Sequence, residues 1–103
     1  RFDRVILDPP AFSRGTAVWS AKRDYPRLVA AACRVIAPDG WLIVASNQGE
    51  LTPHRFTGFV QDGLRRAGRD AQRLWTGSQA GDVPAATWFP EASYLKLSVY
   101  RVL

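Results

Sequence analysis

Residues 1–12 read RFDRVILDPPAF, and they give the clearest indication of the fold class. Residues 5–7 are apolar on three consecutive positions, which is typical of a strand covered on both faces, as in a parallel sheet flanked by helices. The two prolines after Asp8 end the strand, because proline has no N–H to donate to a central ladder. The stretch therefore predicts a buried strand over 2–7 with Asp8 at its carboxyl end.

Strands and helices alternate along the rest of the chain. In chain order the patterns predict a helix over 25–36 capped by Asp24, a strand over 41–45, a helix from Thr52-Pro53 to Gly68, and strands over 69–75 and 94–103. The turn residues 38–40 separate the first helix from the second strand, and the segments 11–24 and 76–91 are predicted loops. This order predicts a single α/β domain over 1–103, with a parallel core and an antiparallel last strand.

Composition narrows the class of protein further. The chain has 103 residues, 47% of them hydrophobic, and a single cysteine, which excludes an intrachain disulfide and a multi-cysteine zinc site. No stretch approaches the roughly 18 apolar residues of a membrane span, and no signal-peptide pattern is present. We therefore expect a soluble cytoplasmic protein, and we expect it to have no metal site.

The charge of the chain is a separate indication. Fourteen Lys and Arg against nine Asp and Glu give a net charge of +5. Such a charge favours a polyanionic partner such as nucleic acid, although an arginine-rich composition with solvated charges is the alternative.

The residues after the first strand have the chemistry of a binding site. Ligands of open α/β sheets lie beyond the carboxyl ends of the strands. There, Asp8 and the carbonyls of Pro9 and Pro10 form a corner rich in hydrogen-bond acceptors, and Phe12 adds a flat apolar face. This combination suits a planar group that carries N–H donors, such as a nucleobase. The structural alternatives are that Asp8 caps a turn and that Phe12 packs on the sheet.

A second candidate segment, 46–51, follows the second strand. Asn47 lies in it, either as a site residue or as a turn residue that bonds its own backbone.

Five segments together resemble a known family. They are DPPAF (8–12), RDY (23–25), APDGWL (37–42), AGRD (67–70), and FPE (89–91) with YLK (94–96). Over nearly its full length the chain resembles the C-terminal half of class I S-adenosylmethionine (SAM)-dependent methyltransferases, in particular the bacterial 23S rRNA methyltransferases.

The resemblance implies a partial doubly wound, Rossmann-like sheet whose strands are equivalent to 4-5-7-6 of the family. It implies SAM as cofactor and RNA, in particular rRNA, as partner. The residues it marks are Asp8, Pro9 and Pro10 for catalysis, Asp8 also for the cofactor, and Phe12, Asn47 and Lys96 for the substrate. A surface ion pair between Lys96 and Glu91 is the alternative for that lysine. The glycine-rich cofactor turn of the family does not occur in the chain, so we expect the cofactor-binding half to lie outside it.

The resemblance also bears on the methylated atom. Relatives that methylate carbon 5 of cytosine carry a cysteine in the loop after the second of these strands, where this chain reads Ser46-Asn47-Gln48. Cys33 lies inside a predicted helix, where a small buried hydrophobe is expected. The covalent route is therefore disfavoured, and we expect methyl transfer to a nucleobase nitrogen, with an oxygen or a protein acceptor as the open alternatives. The competing hypothesis is a non-catalytic RNA-binding or interaction module that retains the fold.

The first strand also leads to a prediction about assembly. The chain begins almost inside this strand, which we interpret as the start of a piece of a longer protein. The strand would then be an exposed apolar edge, and we expect self-association through it.

Overall fold

A computed structural model of the chain describes residues 1–9, 20–48, 51–78 and 95–103. Its elements in chain order are β1 (Phe2–Leu7), α1 (Ala21–Val35), β2 (Ile36–Ser46), α2 (Pro53–Ala67), β3 (Ala71–Ser78) and β4 (Lys96–Val102).

The four strands form one mixed sheet in the order β1-β2-β4-β3. β1 and β2 are parallel and joined through α1, whereas β4 runs antiparallel to both of its neighbours, β2 and β3. The predicted α/β class, the parallel core and the antiparallel last strand are confirmed. The sheet also has the spatial order that the family resemblance implies. Among the strands of the described residues, β1 lies at one edge of the sheet, as expected.

The second strand starts earlier than predicted. β2 begins at Ile36, which pairs with Phe2, and the register then shifts so that Arg4 pairs with Trp41. The predicted turn lies inside this irregularity, where Asp39 has a φ of 66°. A Cβ on Gly40 would lie 2.6 Å from the Ile36 side chain, so the close approach of the two chain segments requires glycine there.

The first helix also starts earlier than predicted, and Asp24 is not its cap. Ser20 is the N-cap, and its hydroxyl accepts a hydrogen bond from the Arg23 N–H at 3.4 Å. The Asp24 carboxylate accepts a hydrogen bond from the Ser20 N–H at 2.8 Å, so Asp24 stabilises the start of the helix from a position within it. Asp24, which predicted a helix start at Tyr25, therefore lies inside the helix.

The second helix begins and ends where its signals predict. The Thr52 hydroxyl caps α2, and Gly68 ends it in the left-handed conformation at φ 67°. β3 begins at Ala71 rather than at Arg69, because Arg69 has another role. Its guanidinium donates to the carbonyls of Cys33 at 2.6 Å and Leu103 at 3.0 Å, which ties α1 to the end of β4.

Both helices pack on the same face of the sheet. The core there contains, among others, Tyr25, Val29, Leu42, Val44, Phe56, Val60 and Val102. The helices approach closely at Gly63, where a Cβ would lie 2.5 Å from the Cβ of Val29. Across the ranges given above, no helix combines the length and the apolar character needed to cross a membrane.

Candidate functional site

The candidate site lies at the edge of the sheet where β1 and β2 end and β4 begins. Leu7 pairs with Val44 near the ends of the parallel strands, and Ser46 pairs with Lys96 at the start of antiparallel β4. Asp8 follows β1 and Asn47 follows β2 directly, so three of the predicted residues share this edge.

Asp8 and Pro9 present acceptors at this edge. Asp8 is exposed, and Pro9 is half-buried beside it. An exposed carboxylate at a strand end is available to a ligand, and the proline offers a carbonyl without a competing N–H. Pro10 and Phe12 lie outside the described residues, so their predicted roles stay predictions.

Tyr25 lies directly beneath the edge and ties α1 to it. Its hydroxyl donates to the Ala45 carbonyl at 2.8 Å, and its ring meets Phe56 edge to face at a centroid distance of 5.3 Å. Burial raises the pKa of Tyr25 strongly, and the negative charge of Asp8 raises it further. The hydroxyl therefore stays protonated and keeps donating to the end of β2.

Sequence reasoning assigned no role to Tyr25, although it lies in the RDY segment and in the apolar stripe of the first helix. The available signal was its hydroxyl, since a tyrosine within a buried stripe needs a hydrogen-bond partner.

A tight turn follows β2 and displays Asn47. The Ser46 hydroxyl accepts the Gln48 N–H at 3.2 Å, and the Gln48 carbonyl accepts the Leu51 N–H at 3.2 Å. Asn47 stands exposed between these anchored positions. These hydrogen bonds restrict the backbone on both sides of Asn47, so its side chain is accessible to a ligand in a defined position.

Lys96 fixes the same turn from β4. Its ammonium donates to the Gln48 carbonyl at 2.9 Å, and the residue is only 5% exposed. Desolvation lowers the pKa of Lys96. Lys96 is thus buried rather than on the surface. Glu91 lies outside the described residues, so the predicted pair between the two stays a prediction. The observed contact makes Lys96 an anchor of the turn that carries Asn47.

Cys33 lies within α1 and is not among the residues at this edge. It is fully buried in α1, and burial raises the pKa of its thiol. The prediction that it acts as a small buried hydrophobe is confirmed. Within the ranges that the structure describes, no three His, Cys, Asp or Glu side chains are grouped so as to hold a metal ion.

Comparison with known proteins places the chain beside RNA methyltransferases. It is 38% identical to ribosomal RNA large subunit methyltransferase I of Tolumonas auensis, over 100% of this chain and 26% of that protein. It is 40% identical to the protein of the same name from Aeromonas salmonicida, over 98% of this chain and 26% of that protein. The chain thus spans about a quarter of the length of the curated relatives it matches. No protein-family model matches it.

Solved structures share the fold. SMU.776, named as a methyltransferase and crystallised in complex with SAH, superposes with a TM-score of 0.78 over 96% of this chain and 26% of that chain, at 23% identity. A protein named as a SAM-dependent methyltransferase from Streptococcus mutans gives a TM-score of 0.75 at 22% identity, over 96% of this chain and 25% of that one. The predicted resemblance to bacterial large-subunit rRNA methyltransferases is confirmed, and the fold is that of a methyltransferase segment.

Proposed function

We propose that residues 1–103 are the C-terminal half of a methyltransferase catalytic domain, and that the enzyme transfers a methyl group from SAM to a nucleobase nitrogen in rRNA. The observation that carries the proposal is the exposed Asp8 with the half-buried Pro9 at the end of β1, beside the anchored turn of Asn47. The relatives at 38% and 40% identity, whose name states rRNA methylation, support the substrate class.

Asp8 and Pro9 orient the acceptor. The carboxylate and the proline carbonyl accept hydrogen bonds from an amino or ring N–H, which fixes the plane of the base and the direction of the nitrogen lone pair. Bound SAM supplies an already activated methyl group on sulfur, so the contribution required of this chain is chiefly positioning and exclusion of water. The predicted stacking on Phe12 would hold the other face of the base.

Tyr25 and Lys96 hold the edge in shape. Tyr25 donates to Ala45 at the end of β2, and Lys96 donates to the Gln48 carbonyl in the following turn. Both residues are buried, and both donate to backbone carbonyls. We assign them the role of positioning residues that keep Asn47 and Asp8 at a fixed separation.

A nitrogen acceptor is favoured over carbon 5 of cytosine. The carbon route needs a thiolate that adds to the ring and is later expelled. The single cysteine of the chain, Cys33, is fully buried with a raised pKa, and the turn at the site carries serine and asparagine. Direct transfer to nitrogen requires no such nucleophile.

The cofactor fits this chain only in part. Asp8 is the residue proposed to touch it, and the glycine-rich turn that would hold the rest does not occur in the sequence. We therefore propose that most of the cofactor pocket belongs to another segment of the enzyme, which would act on rRNA in the cytoplasm.

The test compares two exposed aspartates in the full-length gene product that contains this chain. Asp8→Asn should lower methyl transfer from labelled SAM to bulk rRNA by about 100-fold or more, because it removes the negative charge and replaces one of the two acceptor oxygens with an N–H donor. Asp39→Asn, in the turn before Gly40, should leave the rate unchanged, since asparagine tolerates its left-handed backbone.

Two results would count against the proposal. Equal rates for both variants would remove Asp8 from the reaction. RNA binding without methyl transfer by the unaltered protein would identify the non-catalytic RNA-binding module instead. Mass spectrometry of the labelled nucleoside identifies the methylated atom, and 5-methylcytosine would overturn the nitrogen assignment.

A further inference from the structure

The excess positive charge of the chain lies on α1 and α2. The two helices contain seven Lys and Arg and two Asp, whereas the rest of the sequence contains seven residues of each sign. The net charge of +5 is therefore the charge of these two helices. All of the helical cations are exposed, and they are Lys22, Arg23, Arg27, Arg34, Arg55, Arg65 and Arg66. Because both helices lie on the same face of the sheet, this concentration of charge favours a polyanionic partner on that side.

The ion pairs on this surface leave the cations in excess. Each of the two helical carboxylates is shared by two arginines, at N–O distances between 2.7 and 3.8 Å. The pairs are Arg23–Asp24, Arg27–Asp24, Arg65–Asp62 and Arg66–Asp62. Within the described part of the chain, no carboxylate pairs with Arg34. Exposed ion pairs contribute little free energy, so phosphates can replace the carboxylates as partners of these arginines.

An open groove of about 690 Å³ gathers part of this charge between the two helices. Arg27 and Arg34 line it from α1, and Arg66 lines it from α2. The other described lining residues are Asp24, Leu28, Ala30 and Ala31. Among the described residues, three guanidiniums thus share the groove with one carboxylate.

The close packing of the helices explains why arginines of both reach one groove. A Cβ on Gly63 of α2 would lie 2.5 Å from the Cβ of Val29 in α1, so the helices touch at this glycine. Arg27 and Arg34 are two turns apart on one side of α1, about 10 Å along its axis. Like charges held together on rigid helices repel each other, and a bound polyanion relieves that repulsion.

The lining indicates which part of a nucleic acid the groove suits. A guanidinium presents a planar set of donors that matches phosphate. Proteins that bind unpaired strands stack the bases on aromatic side chains, and no aromatic residue is among the described lining residues of this groove. An RNA duplex keeps its bases inside and is contacted largely through its phosphates. The groove therefore suits the backbone of a duplex.

The groove starts near the sheet edge that carries the candidate site. Tyr25 near the start of α1 donates to the Ala45 carbonyl at the end of β2, and Asp8 is close enough to raise the pKa of Tyr25. Asp24, the neighbour of Tyr25, lines the groove. From there the lining extends along α1 to Arg34, which is about 15 Å farther from the edge.

We propose that the groove between α1 and α2 binds the phosphate backbone of an RNA duplex that flanks the nucleotide held at Asp8. Arg27, Arg34 and Arg66 bind phosphates without regard to base sequence, and they hold the RNA with its target nucleotide near the edge of the sheet. The inference rests on the proposed function for RNA as the ligand. It assigns a role to a surface outside the proposed catalytic residues.

Ala31 offers a matched pair of variants that change the charge of the groove. It is exposed, it lines the groove, and it lies four residues after Arg27 and three before Arg34. Ala31→Glu places a carboxylate within reach of both arginines, a spacing that stabilises a helix. Ala31→Gln adds a side chain of the same size without the charge, and both residues are good helix formers. The difference between the two variants therefore reports the charge alone.

The experiment measures binding of a fluorescein-labelled RNA hairpin to the full-length gene product that contains this chain. Anisotropy is recorded without SAM over a range of salt concentrations. Ala31→Glu should bind about tenfold more weakly than Ala31→Gln at low salt, because its carboxylate competes with the phosphates for Arg27 and Arg34. A second hairpin with an unrelated stem sequence should give the same difference, because phosphate contacts carry no sequence information.

Two arginine variants test the groove by removal of a single charge each. Arg34→Ala should lower the salt slope of binding by about 1, because one phosphate contact is lost. Arg101→Ala removes the same charge from β4 and should leave the slope unchanged. Arg101 lies between Tyr100 and Val102, which face the core under the helices, so its side chain is on the opposite face of the sheet.

Several results would overturn the inference. Equal affinities of the two Ala31 variants would do so, as would equal salt slopes of the two arginine variants. Binding of oligouridylate as tight as that of the hairpin, with the same Ala31 dependence, would assign the groove to unpaired RNA instead.

Methyl transfer by the unaltered protein is measured separately, so the two proposals fail independently. Methyl transfer together with equal binding by the two Ala31 variants would remove the groove and leave the proposed function. Hairpin binding with the expected differences, but without methyl transfer, would remove the enzymatic function and leave the groove as a site for RNA.

Discussion

The two faces of the sheet are both apolar, yet the described helices cover only one of them. On the covered face, Leu42 and Val44 are fully buried under α1 and α2. On the bare face an apolar row crosses all four strands in register. Its members are Ile6, Ile43, Val99 and Trp75.

The ends of this row are open to solvent, since Ile6 is 68% and Trp75 is 50% exposed. The consecutive apolar residues of β2 thus alternate between a face that the helices bury and a face that the described helices leave open. An apolar pattern records which surfaces are suited to burial, but it does not say which segment or partner buries them.

The largest expected difference between the faces lies in two neighbouring residues of β2. Leu42→Ala should lower the free energy of unfolding by about 3 kcal/mol, because it opens a cavity in the core. Ile43→Ala, on the bare face, should cost about 1 kcal/mol, because this half-buried side chain loses less contact. Urea unfolding followed by circular dichroism measures both.

Equal losses for Leu42→Ala and Ile43→Ala would contradict the comparison. They would show that the bare face is covered in solution to the same degree as the helix-covered face.

Local sequence signals predicted the elements whose ends are set by caps and prolines. The run of residues 5–7 predicted β1 to its exact bounds, and Thr52 with Gly68 predicted both ends of α2, because caps and prolines act on their immediate neighbours. The predicted start of α1 was wrong. Ser20 and Asp24 are hydrogen-bonded across four positions, and only the geometry shows that Ser20 is the N-cap of the helix. The start of β2 was wrong because pairing of Ile36 with Phe2 is a long-range contact.

The site was predictable in its position and less so in its supports. Topology brings Asp8 and Asn47 to one edge, as the rule for open α/β sheets predicts. The burial of Lys96 and the hydrogen bond of Tyr25 depend on how β4 and α1 pack, which residue patterns do not specify.

The bare face also sharpens the prediction of self-association, which remains a prediction. Ile6 lies both on this face and on the edge strand β1, so burial in a second copy would cover an apolar side chain and pair a free edge. Ile6→Lys should weaken the association about tenfold, because a charge would be buried in the contact. Ala31→Lys adds the same charge at an exposed position of α1 and should have no effect.

Multi-angle light scattering at micromolar concentrations measures the mass of each variant. A monodisperse monomer of the unaltered chain at tens of micromolar would contradict self-association. Equal weakening by both lysine variants would instead assign the contact to general surface hydrophobicity.

The smallest expected effect is the contribution of the Asp24 carboxylate to stability as the pH falls, and it does not depend on either face of the sheet. The hydrogen bond from Arg23 lowers the pKa of Asp24 to about 2, with a further contribution from the Ser20 N–H at the start of α1. Because the folded-state pKa lies below the ordinary value of 3.8, the unfolded chain takes up the proton more readily. The stabilisation is therefore fully present above about pH 4 and is lost as the pH falls toward 2.

Asp24→Asn should remove this part of the pH dependence, and Arg23→Gln should reduce it, since the Arg23 hydrogen bond is its largest cause. The measurement is urea unfolding of the three proteins between pH 2 and pH 6, compared as differences from the unaltered chain. Added salt should shrink the differences, because the pair is exposed to solvent. If Asp24→Asn followed the pH profile of the unaltered chain, the ion pair would contribute nothing, and the stability of α1 would rest on its packing against the covered face alone.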